Sequence, residues 1–131
     1  MNYLTLLEVA DLLADVISSD DITAGCIDTS LTETIGVYQR EPFTPRECVG
    51  GNSSYETTKI KLLVRWGNNP TVAERKAAEI AESVRRLREI STADHIIKFT
   101  DVKAVRAIGK DEKGICEYTI DADIIYSERN E

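Results

Sequence analysis

KIKLLVRWGNNPTVAERKAAEIAESVRRLREI, residues 59–90, sets out a strand, a break and a helix in a single run. Ile60, Leu62, Val64 and Trp66 alternate with Lys59, Lys61 and Arg65, so one strand face is apolar and the other is charged, apart from Leu63. Such a strand belongs to a sheet covered on one side only. Gly67-Asn68-Asn69 breaks the alternation, and Pro70 suits a first helical turn, where a missing N–H costs nothing. Asn69 or Thr71 can cap this helix, and Thr71 with Glu74 has capping-box spacing. Ala73, Ala77, Ile80, Val84 and Leu87 then recur at steps of four and three, an apolar stripe able to cover the sheet. The opposite side mixes Glu74, Arg75, Lys76, Glu79, Glu82, Arg85, Arg86, Arg88 and Glu89 at spacings that allow ion pairs along the helix.

Upstream, Thr5 and Glu8 form another capping-box pair and open a helix expected over Thr5–Ser18. Leu6, Ala10, Leu13, Ala14 and Ile17 fall on one of its faces, with Asp11 and Asp15 opposite. Ser18-Ser19-Asp20-Asp21 ends it, since these side chains compete for backbone hydrogen bonds. From Ile22 to Arg40 the pattern is extended, with one or two strands expected around Ile27 and over Thr34–Arg40. Downstream of the second helix, Ile96–Ile108 is rich in β-branched residues. Gly109-Lys110-Asp111-Glu112-Lys113-Gly114 then reads as a hairpin turn. In the last strand Cys116, Tyr118, Ile120, Ala122, Ile124 and Tyr126 share one face, and Glu117, Thr119, Asp121 and Asp123 the other. If this strand neighbours Lys59–Trp66, its acidic row meets Lys59, Lys61 and Arg65.

The 131 residues suit one domain, 1–131, large enough for a single core. The apolar runs are too short to span a bilayer, and carboxylates interrupt the N-terminal apolar positions, so neither a membrane span nor a secretory signal is expected. Cys26, Cys48 and Cys116 are odd in number and form no CxxC, which fits reduced thiols acting as small apolar side chains. All 16 Lys and Arg lie at or beyond Arg40, so the whole net charge of −7 sits in the first 39 residues. That asymmetry serves solubility, or a surface that repels nucleic acid or meets a basic partner. In either case a DNA-binding module, which needs a basic stripe, is disfavoured.

No catalytic constellation emerges. His95 is the sole histidine and reads as a strand-edge or turn residue. Asp121 and Asp123 share a strand face, but further oxygen ligands at useful spacing are missing, so no metal and no cofactor is expected. Gly67–Pro70 lacks both the Walker ending and GxGxxG spacing, and reads as a turn and cap. Trp66 reads as core or interface. The segment Glu41–Glu56 holds two of the three prolines, a Gly-Gly pair and Asn-Ser-Ser, the composition of a long loop or hairpin arm. Loops of this length are often functional, so the segment reads either as a mobile arm that orders on a partner or as a disordered hairpin tip. Arg46, Val49, Gly50, Gly51, Asn52 and Tyr55 are its partner-contact candidates.

Two stretches, Lys59–Leu87 and Ile108–Tyr126 (IGKDEKGICEYTIDADIIY), carry a resemblance. An extended arm leading into a strand, the Asn-Pro helix start and the Gly-x-Asp-x-x-Gly turn resemble the minor capsid proteins of tailed bacteriophages and prophages of Gram-positive bacteria. That family is similar to the phage tail terminators. The resemblance implies an α+β domain: an antiparallel sheet of about four to five strands with two main helices on one face. It also implies a non-enzymatic ring former, usually a hexamer, that ends the tail tube and docks to head-completion proteins. Its partners would be its own copies, the tail tube protein and a head-completion protein, with DNA passing through unbound. Its place would be the virion, after assembly in the bacterial host cytoplasm. The contrasting expectation is a small α+β enzyme or ligand-binding domain using the open sheet face.

Overall fold

The computed structural model describes residues 4–17, 22–27, 30–40, 55–92 and 94–128. In chain order these form α1 (Leu6–Ile17), β1 (Ile22–Ala24), β2 (Glu33–Gln39), β3 (Glu56–Trp66), α2 (Pro70–Arg85), β4 (Ile90–Ser91), β5 (His95–Lys110) and β6 (Cys116–Glu128). The strands make one six-stranded sheet in the order β1-β2-β3-β6-β5-β4. The class is α+β with two helices, as expected, but the sheet is larger and mixed. Two and three residues are too few for β4 and β1 to show an alternation, and β1 runs parallel to β2, Ile22 opposite Ile35. The other neighbours are antiparallel.

Both helices lie on the apolar face of the sheet. Ala73, Ala77, Ile80 and Val84 of α2 are fully buried, and the core they join includes Ile60, Leu62 and Val64 of β3 and Ile120, Ala122 and Ile124 of β6. Each buried Val, Leu or Ile contributes about 1.5–3 kcal/mol relative to exposure. The helix ends at Arg85, so Leu87 enters the core from the segment after it. Asn69 is the cap: its side-chain oxygen accepts from the Thr71 and Val72 N–H groups at 3.0 and 3.4 Å. In α1, Val9, Ala10 and Leu13 are buried; Val9 widens the face expected from Leu6, Ala10, Leu13, Ala14 and Ile17. Thr5 Oγ1 accepts the Glu8 N–H at 3.2 Å.

The β5–β6 turn is organised by Asp111. Its Oδ1 accepts the N–H groups of Lys113 and Ile115 at 2.9 Å each, while its backbone pairs with Ile115 and Gly114. Gly114 takes φ +81°, a left-handed conformation that costs glycine little. The Asp and the second Gly of the expected turn are therefore used for their chemistry. Cys116 is buried as expected, whereas Cys26 is exposed. His95 opens β5 and is buried, with Nδ1 2.9 Å from Glu8 Oε2 and its ring edge-on to Tyr126, so it joins α1 to the sheet.

Candidate functional site

The uncovered face of the sheet carries charge in a regular arrangement. β3 and β6 are adjacent, and Lys59, Lys61 and Arg65 stand opposite Asp123, Asp121 and Glu117, the register expected from the two alternating rows. The ion pairs formed differ in part from that register. Arg65, with its side chain 5% exposed, lies 2.7 Å from Asp111 and 3.2 Å from Glu117. Arg106 of β5 reaches Asp121 at 3.0 Å, and Arg40, just past β2, pairs with Asp123. Guanidinium groups reach across strands and match carboxylates with a planar fork, which suits them to this role. The Asp111 carboxyl is held below its ordinary range, chiefly by the Ile115 N–H and also by Arg65 and the Lys113 N–H.

These pairings bear on the Asp121 and Asp123 row considered for a cation or a ligand. Each carboxylate is engaged by an arginine, so the row is a cross-linked surface linking β2, β5 and β6. Among the described residues, no group of three or more His, Cys, Asp or Glu side chains is arranged to hold a metal ion. No helix among them is long and apolar enough to cross a membrane.

A second feature is the outer edge of β5. β4 pairs only with Ile96 and Ile97, so from Phe99 to Lys110 the outer edge of β5 has no strand partner among the described residues. Val105 and Ile108 lie exposed there, beside Lys103, Arg106 and Lys110. Lysine on an edge strand discourages indiscriminate pairing while leaving backbone groups available to a matched partner. The edge was not legible from residue patterns, because strand order decides which strand is outermost.

A third feature is α1. Its outward side presents Leu7, 63% exposed, with Asp11 and Asp15 one and two turns further on, and the helix carries no basic residue. Of the six contact candidates in the arm, Arg46, Val49, Gly50, Gly51 and Asn52 lie outside the described residues. Tyr55 is exposed immediately before β3, with the Lys98 ammonium 5.8 Å from its ring centre. The strand already begins at Glu56, which is buried, so the candidate arm ends sooner than its sequence suggested. Trp66 is partly buried against the core with Lys76 4.8 Å from its ring, consistent with its reading as core or interface.

Comparison with known proteins adds three findings. A family model described as "Bacteriophage tail terminator protein" matches residues 7–128. No curated protein matches the chain. A solved chain is similar in fold, with TM-score 0.52 and 11% identity, over 94% of this chain and 89% of that one. That likeness concerns the fold alone.

Proposed function

The chain belongs to the bacteriophage tail terminator family and is a structural component of a phage tail; from that premise we propose that it forms a ring, usually six copies, that stops growth of the tail tube and docks to a head-completion protein. The reading rests on the family match across 7–128 and involves no catalysis. The concentration of net negative charge in the first 39 residues suits a channel through which DNA slides without adhering. The Glu41–Glu56 segment, with Arg46, Val49, Gly50, Gly51, Asn52 and Tyr55, is proposed to contact the tube or a neighbouring copy. The protein would be made in the bacterial host cytoplasm and carried in the virion.

The direct experiment adds the purified full chain to polymerising tail tube protein and measures tube lengths by negative-stain microscopy. Shortened tubes ending in a ring of added density are the expected result. An unchanged length distribution, together with a strict monomer by light scattering in the presence of tube protein, would refute the proposal. Deleting Gly50–Ser54 is expected to weaken assembly more than folding, and normal assembly after that deletion would remove the arm from the mechanism.

A further inference from the structure

We infer that three extra residues in β5, Lys98, Lys103 and Ile108, guard the free edge of the sheet against addition of a strand from another chain. The inference does not depend on the ring reading; it identifies an edge that another chain cannot extend. The 16 residues of β5 face 13 of β6. The register accounts for the difference. Ile97 and Phe99 stand opposite Tyr126 and Ile125, Val102 and Ala104 opposite Ala122 and Asp121, and Ala107 and Gly109 opposite Tyr118 and Glu117. One residue of β5 is therefore left over at each of three places, spaced five residues apart. Such bulges bend a strand, increase its twist and interrupt its pairing.

The edge needs such a guard. Over residues 101–110 no strand lies outside β5 among the described residues, and every residue of 105–110 is exposed. Phe99, Val105 and Ile108 add apolar side chains that are 45%, 45% and 57% exposed. A long, regular edge of this composition is a template for another strand. The bulges divide it into 99–102, 104–107 and 109–110, so no regular run exceeds four residues. Backbone groups of a strand point alternately to its two sides, so each run offers an incoming strand about two residues of ladder, against about 5–6 residues in an ordinary strand. A regular partner in step with one run is out of step at the next. The first bulge is also covered: the Lys98 carbonyl accepts the Glu89 N–H at 3.2 Å, and Thr100 Oγ1 donates to the Leu87 carbonyl at 3.1 Å. At the second, the Lys103 ammonium lies 2.7 Å from Asp101 of the same strand, so its charge is already matched. The broken ladder, rather than free charge, is what excludes a partner there.

The test deletes Lys103 from the full-length chain, which joins 99–102 to 104–107 in one regular run of eight residues and keeps both flanks in register with β6. Lys103→Ala is the companion variant, since it keeps the extra residue and removes only the charge. Size exclusion with light scattering over a concentration series reads association, and circular dichroism with a thermal melt checks the fold. Hydrogen exchange with mass spectrometry reads protection of the β5 amides. The deletion variant is expected to form species larger than those of wild type at concentrations lower by about tenfold or more, with new protection over 99–107. Lys103→Ala is expected to behave as wild type. A folded deletion variant that associates no more than wild type would overturn the inference, as would association without new protection in β5. Equal association by Lys103→Ala would also overturn it, because charge and not the extra residue would then be the guard. If the first deletion does not fold, deletion of Ile108, which joins 104–107 to 109–110, replaces it under the same outcomes. Wild type supplies a reading that needs no variant: exchange over 101–110 should stay constant across the concentration series, with and without tube protein. Protection gained there on assembly would overturn the inference while leaving the ring reading intact.

Discussion

Gly36→Ala is expected to destabilise the protein only while Tyr38 is present. Gly36 is buried near the middle of β2, opposite Thr23 of β1 and Leu63 of β3. Tyr38, two residues on and therefore on the same face, folds back across it. A Cβ at position 36 would stand 2.8 Å from Tyr38 Cε2, 3.2 Å from its hydroxyl oxygen and 3.3 Å from the Cys26 carbonyl oxygen. Two effects compete. Alanine removes backbone freedom from the unfolded chain and is favoured over glycine in a strand by about 0.5–1 kcal/mol. Overpacking a filled site costs about 1–3 kcal/mol. A 2.8 Å carbon contact cannot persist, so Tyr38 must swing away and give up its burial, the main cause that raises its hydroxyl pKa. The overpacking term should win, but only narrowly, because the atoms met first are the far end of the half-buried Tyr38 side chain; the net loss is about 1 kcal/mol, roughly a fivefold fall in the folding constant. With Tyr38→Ala the closest contact disappears and only the Cys26 carbonyl must yield by a few tenths of an ångström. In that background Gly36→Ala should be neutral or slightly stabilising. Urea denaturation of the wild type, both single variants and the double variant would measure the coupling, at a concentration low enough that self-association does not contribute. Equal effects of Gly36→Ala in the two backgrounds, or a gain in stability with Tyr38 intact, would refute the reasoning.

Other consequences follow from single groups. Ile80→Ala, at the centre of the α2 face and fully buried, should cost about 2–4 kcal/mol in denaturant titration. Asn69→Ala removes the acceptor for two N–H groups at the start of α2 and should cost about 1 kcal/mol, whereas Thr71→Ala should cost less. Because the folded-state pKa of Asp111 is depressed, its contribution to stability is present above the ordinary carboxylate value near about pH 4 and is lost as pH falls through the folded value. Asp111→Asn should therefore flatten the dependence of stability on pH below that value, as followed by thermal melts across an acid series.

The charged open face explains why the sheet tolerates having helices on only one side. Arg65 is nearly buried on that face between two carboxylates, one on the β5–β6 turn and one on β6. Breaking such a cluster by removing one member is more damaging than its net stabilisation suggests, because the remaining charges lose their partners. The face therefore works as structure, binding β2, β5 and β6 to one another.

What was legible from residues alone was what repeats locally. Lys59–Trp66 and Cys116–Tyr126 alternate over enough residues to define a strand and its buried face. The α2 stripe predicted the buried set Ala73, Ala77, Ile80, Val84 and Leu87, because a helix of this length shows its period several times. Opposite charge on two strands even anticipated the β3–β6 register. The candidate contact surfaces were far less legible: Tyr55 is exposed before β3, and the edge of β5 and the outward face of α1 had no motif to mark them. Tertiary structure alone decided the rest. Strands as short as β1 and β4 show no alternation, and a parallel β1–β2 pair depends on the path of the chain. His95 pairs with Glu8 at a separation of 87 residues, and Arg40 with Asp123 at 83, distances over which sequence spacing carries no geometric information. Local periodicity comes from backbone geometry and can be read residue by residue; which strand becomes an edge, and which charge meets which, exists only once the sheet has an order.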